Sequence, residues 1–224
     1  MDPRLLVDGL ILYLGLLVLL TFHEFGHAWM AWKCGDDTAH SQGRVSLNPL
    51  VHIDPIGTVA LPLLLIFTAP GGFFVGWAKP VPVDPDNLRN PRTDDIMITL
   101  PGPWMNLLLA VAIMALAGLG HAIHATRLGH ALHADGLVKV CKDMAHLSLL
   151  LCFFNLLPIP PLDGSHVVRS LVGMSYETYH RIARYGIFIL ILALQIPLVQ
   201  DTLDTATTNS WFTIADWFGV PPDR

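Results

Sequence analysis

The chain has 224 residues and a net charge of −5, with 53% hydrophobic and only 14% charged residues, against about 25% charged in an average soluble domain. So few charges cannot cover a soluble surface of this size, which sets most soluble enzyme classes aside and points to a single membrane-embedded domain over residues 1–224. No Lys/Arg run is present to hold a nucleic-acid backbone, and three cysteines (Cys34, Cys141, Cys152) without a CxxC support neither a disulfide framework nor a cysteine zinc knuckle.

In chain order, residues 5–22 are apolar apart from Asp8 and Thr21, long enough to span a membrane. No small-residue cleavage site follows, which argues against a signal peptide, and helical character continues to Lys33. Residues 35–54 are polar and loop-like, with a small membrane-associated β element expected near 38–47. Residues 57–69 are apolar but short and bounded by proline, as in a partial or re-entrant segment. A proline-rich polar loop over 79–95 leads into a second span, 96–123, broken early by Pro101-Gly102-Pro103. His121, His124, His130 and His133 fall at the end of that span and in the polar connection after it, and are taken as a solvated loop. A third apolar stretch, 144–157, runs into Pro158-Ile159-Pro160-Pro161-Leu162-Asp163-Gly164, and a fourth covers 185–199. Trp211, Phe212, Trp217 and Phe218 suit an interfacial tail. The expected fold is an all-α polytopic membrane protein with about four transmembrane helices and the partial segment 57–69. Its catalytic core covers about 5–170, with a C-terminal span and interfacial tail over 185–224.

The chemistry concentrates in His23-Glu24-Phe25-Gly26-His27. In a helix residues i and i+4 share a face, so an HExxH run lets both imidazoles reach one metal ion. The glutamate between them then stands where it can take a proton from water and pass it to a leaving amine. Only one other glutamate, Glu177, occurs in the chain. Zinc hydrolases use three protein ligands and an open fourth position. Position 33, where an extended motif would place a third histidine, is Lys33, so the better third ligand is Asp163. It ends an apolar stretch as the HExxH does, and the prolines before it turn the chain out of the helix. Both groups then lie near one end of a hydrocarbon core ~30 Å thick, provided that 57–69 does not fully cross. Eight Lys and Arg on the HExxH side against five on the other place the active site toward the cytoplasm and the N-terminus outside, in a multi-pass cell-membrane protein. His52, Asp54 and His166 are further polar residues near these segments, with a turn at Asp54-Pro55 and a supporting contact by His166 weighed as their roles.

Taken together, these residues resemble the site-2 protease family of intramembrane zinc metalloproteases. The family pairs HExxH with a later NxxPxxxxDG-type segment, matched by Asn155 to Gly164, and with a GPxxN-type element, matched by Gly102-Pro103-Trp104-Met105-Asn106. The stretches Ser46-Leu47-Asn48-Pro49 and His52-Ile53-Asp54-Pro55 are similar to a compact prokaryotic branch, without PDZ or CBS domains. The resemblance implies one Zn²⁺ held by His23, His27 and Asp163, with Glu24 as general base and acid. It implies that Asn106 and Asn155 hold the substrate carbonyl or stabilise the oxyanion, and that the substrate is a transmembrane segment of another protein within the lipid bilayer. The alternatives are an inactive family member or a metal-binding membrane protein without protease activity.

Overall fold

A computed structural model describes residues 3–69, 71, 76–124 and 134–221, and among them all regular structure is helical. Helix α1 (Pro3–Cys34) has 32 residues, about 48 Å at ~1.5 Å per residue, so it outreaches a hydrocarbon core ~30 Å thick. His23 lies about 30 Å from its start. Near the end of α1 Lys33 stands 5.0 Å over the Trp32 ring, which in turn stacks on His40.

The β element expected near 38–47 is not formed. Those residues make the short helix α2 (Thr38–Ser41) and turns. The cause is local: the Asp36 carboxylate accepts from the Thr38 N–H at 3.1 Å and the Thr38 hydroxyl at 2.5 Å, which starts a helical turn instead of an extended strand. Asp36 also accepts from the Asp84 N–H (2.8 Å) and the Asn87 amide (3.0 Å), pinning this loop to the proline-rich one. Burial opposes ionisation of Asp36, but these hydrogen bonds outweigh it and hold its carboxyl below the usual range. A depressed native pKa contributes stability above the unfolded value, about 3.9, and loses it as pH falls through the native value. Asp36→Asn is therefore expected to lower the melting temperature in detergent by a few degrees at pH 7. The gap to wild type should close as pH falls below about 4; a gap independent of pH would contradict this account.

A π-helical turn (Pro55–Ala60) and α3 (Leu61–Thr68) form one apolar unit, about 20 Å long and short of a full crossing. Asp54 caps it, accepting from Ile56 N–H and Gly57 N–H. Next come α4 (Pro91–Thr99) and α5 (Pro101–His124), with Pro101-Gly102-Pro103 as the first turn of α5. Helix α6 (Ala134–Asn155) is followed by a loop and by α7 (Asp163–Val172), α8 (Tyr176–Ala183), α9 (Gly186–Ala193) and α10 (Pro197–Trp217).

Among the described residues two helical stretches, Pro3–Cys34 and Pro91–Ile123, are long and apolar enough to cross a membrane, or three if α9 and α10 count as one bent span. That is fewer than the four expected. Helix α6 is long enough but carries Lys139, Lys142 and Asp143. The apolar run 185–199 is divided because Pro197 starts a new helix, bent by 81° from α9. The interfacial tail is corrected in part: Trp211 is buried and donates its indole N–H to the Lys142 carbonyl (3.2 Å), whereas Phe212 and Trp217 are exposed. A core of Ala110, Met114, Ala117, Cys141, Ala145 and Leu149, closed by Trp211, Ile214 and Ala215, joins α5, α6 and α10. Its alanines are fully buried and let the backbones approach closely. His130 and His133 lie outside the described residues.

Candidate active site

The HExxH residues line one wall of a cavity of about 440 Å³. Gly26, one helical turn after His23, lets α1 touch α5, since a Cβ there would lie 2.8 Å from the Pro101 carbonyl oxygen. The prolines of 158–161 end the apolar run, and Asp163 becomes the first residue of α7. The fold brings together the three residues that the sequence singles out as ligands. His23 Nε2 and His27 Nε2 are 3.0 Å apart, and Asp163 Oδ2 lies 3.1 Å and 3.3 Å from them.

The hydrogen bonds behind this triangle fix what it presents. His27 Nδ1–H donates to the Ile98 carbonyl at 2.7 Å, so Nε2 offers its lone pair. The side-chain amide of Asn106, fully buried, lies 3.1 Å from His23 Nδ1. Its Oδ1 is otherwise unpartnered, and turned to Nδ1–H it satisfies both groups and frees His23 Nε2. Asp163 Oδ2 is buried and makes no hydrogen bond of its own. Three lone-pair donors converging at ~3 Å repel one another unless a cation lies among them. Tetrahedral zinc with bonds of ~2.0–2.1 Å separates its ligands by about 3.3 Å, so the donor set fits the ion in spacing and in kind. Among the described residues this is the one such group of three.

Glu24 is half-buried and lines the same cavity. Asn155 also lines it, with one hydrogen of its amide nitrogen donated to the Leu151 carbonyl (2.8 Å). Asn106 does not reach the cavity; it sits behind His23. The polar stretch 77–95 lines the cavity and 35–55 does not. Instead, residues of 35–55 hold the cavity's extended wall from behind. Arg44, buried, donates to the Lys79 and Pro80 carbonyls (2.6 and 3.2 Å), and the His52 carbonyl accepts from Lys79 N–H (2.8 Å). Burial pushes the His52 imidazole below its ordinary pKa, against the pull of its bond to the Ser46 carbonyl.

Sequence reasoning missed α4. Its Ile98 carbonyl orients His27, and its buried Asp95 anchors α7 through Arg169 Nη2 (2.7 Å) and the Ser170 hydroxyl (2.7 Å). Arg169 in turn lies 3.7 Å over the Tyr176 ring. Asp95 carried a signal, as a carboxylate at the edge of an apolar span. The Ile98 carbonyl carried none, being backbone.

Comparison with known proteins agrees with this geometry. The family model described as Peptidase family M50 matches residues 11–120 and 114–194. The protein named "Putative zinc metalloprotease YwhC" from Bacillus subtilis is 38% identical over 188 residues, covering 84% of this chain and 81% of that protein. "Putative zinc metalloprotease Rip2" from Mycobacterium tuberculosis is 33% identical over 206 residues, covering 92% and 69%. The Rip2 of Mycolicibacterium smegmatis is 30% identical over 208 residues, covering 91% and 71%. No solved structure matches. With two apolar helices of membrane length, a His-His-Asp group spaced for zinc and a family model covering most of its residues, the chain belongs to peptidase family M50, the site-2 proteases, and is a zinc metallopeptidase.

Proposed function

We propose that this peptidase cuts within or beside transmembrane segments of other membrane proteins, with its site opening toward the cytoplasm. The observation that carries the reading is the placement of the metal triangle and Glu24 at one cavity, about 30 Å along an apolar helix. His23, His27 and Asp163 hold the zinc, which supplies Lewis-acid polarisation of the scissile carbonyl when bound. Glu24 takes the proton of the attacking water and delivers it to the departing amine, so that one carboxylate serves both halves of the hydrolysis. Asn155 offers its amide to the substrate main chain. Asn106, buried behind His23, acts on the imidazole and not on the substrate, fixing its tautomer and direction.

A helical substrate has no free peptide bonds in lipid, so its backbone must unwind where it is cut, and every group freed there needs a partner. The cavity mixes apolar wall (Leu20, Val81, Val83, Phe154) with polar groups of α4, α7 and α8, which suits an apolar segment with a locally exposed backbone. The test is the position of the cut. Purified protein in liposomes, given a panel of single-span membrane proteins, is expected to yield products that mass spectrometry places within the span or at its cytoplasmic edge. Cleavage confined to soluble loops would overturn the reading.

A further inference from the structure

His166 has no part in the metal triangle, yet the fold sets it on the same wall. It stands three residues after Asp163 in α7 and so shares a helix face with it. Its side chain is about one-third exposed and lines the cavity. The ring is braced from two sides. Tyr179 lies against it with centroids 4.7 Å apart, and the Tyr179 hydroxyl is itself tied to Ser165 at 2.8 Å. Asp95 Oδ1 lies 3.6 Å from His166 Nδ1. The other oxygen of Asp95 is held at 2.7 Å by Arg169, so this carboxylate is an anion facing Nδ1. At 3.6 Å this is an electrostatic contact longer than a hydrogen bond, and an anion so placed favours the neutral tautomer with the hydrogen on Nδ1 and the acceptor at Nε2. Nε2 has no protein partner among the described residues.

We infer that His166 is a catalytic residue of this peptidase: its Nε2 accepts a main-chain N–H of the unwound substrate beside the scissile bond, and Asp95 is the positioning residue that fixes its tautomer. The inference rests on the intramembrane reading above, because only a substrate stripped of its helical hydrogen bonds in a water-poor site brings an unpaired N–H to this wall. No proton changes hands in this role. The ring holds the peptide in register with Glu24 and the metal while Glu24 carries the proton traffic.

The test compares wild type, His166→Phe, His166→Gln, Asp95→Asn and the Asp95→Asn/His166→Phe double variant in detergent micelles. Each is assayed for bound zinc and for kcat and KM on a synthetic single-span peptide that wild type cleaves. Phe keeps the ring and its contact with Tyr179 but removes the acceptor, so kcat/KM should fall about 10- to 100-fold, the effect of leaving one buried donor unpaired. Gln restores an acceptor and should recover most of that loss. Asp95→Asn also weakens the Arg169 anchor of α7, so its loss is read as activity per bound zinc, and on that measure it should fall between wild type and His166→Phe, with the double variant no worse than His166→Phe. Zinc should stay near one per chain in both His166 variants. Activity of His166→Phe within about threefold of wild type would overturn the inference, as would loss of its zinc, which would make the ring a support of the metal site. Failure of the underlying reading looks different: mass spectrometry would place the wild-type cut only in the peptide's soluble flanks, whatever the His166 variants do.

Discussion

Gly102→Ala is expected to empty the metal site. Gly102 lies in the first turn of α5, directly against the ligand rings. A Cβ built there would overlap His27 Nε2 and lie 2.8 Å from His23 Cε1. A single methyl elsewhere in a helix would be benign or slightly stabilising. Here the atoms it meets cannot give way, because His27 is fixed at its other nitrogen by the Ile98 carbonyl and would have to leave the metal to move. Bound zinc is expected to fall from about one per chain to nearly none, and cleavage with it. Gly136→Ala is the matched control: its Cβ would meet nothing within 4 Å, and zinc and activity should both remain. Elemental analysis of the two purified variants decides the matter. A zinc-replete, active Gly102→Ala protein would show that the rings have room that this structure does not give them.

Glu24→Gln should separate metal binding from turnover. The amide keeps the size of the carboxylate and leaves the triangle of His23, His27 and Asp163 untouched, but it cannot accept a proton. Zinc content is expected to match wild type, while kcat falls by about 10²- to 10⁴-fold, the range that a positioned acid–base group contributes. Initial rates on a single-span substrate, taken beside elemental analysis, give both numbers from one preparation. Undiminished turnover would remove Glu24 from the proton path and require another base at the cavity.

The parts of the site that were legible in the sequence are those whose chemistry follows a helical period or a chain break. Two histidines four apart on a long apolar helix must share a face, and Asp163 after a run of prolines must leave the helix before it. The proline-rich loop also showed itself as far as residue 90, while its last residues, 91–95, begin α4. What escaped was set by contacts that sequence does not label. The Ile98 carbonyl holds His27 through backbone. The Asp95–Arg169 pair joins residues 74 positions apart. The 38–47 stretch looked extended by composition, but one buried carboxylate, Asp36, bends it into a helical turn. Trp211 looked like an interfacial anchor because aromatic residues at a chain end suit that place, yet it is packed between helices. Counting spans failed for a related reason: apolar content alone registers neither the charges that open α6 nor the bend that Pro197 puts into the last run.

The ligands come from distant parts of the chain, two from α1 and one from the start of α7, about 136 residues later. An ion seated among them closes a very long loop with three bonds, and such a closure acts as a latch. Zinc that binds only the assembled triangle must, by thermodynamic linkage, resist its opening in proportion to the logarithm of free zinc over the dissociation constant. Metal supply then governs more than turnover: in a zinc-poor cell the two halves of this protein would part more readily and be cleared sooner, so its abundance would follow the cell's zinc even at constant synthesis.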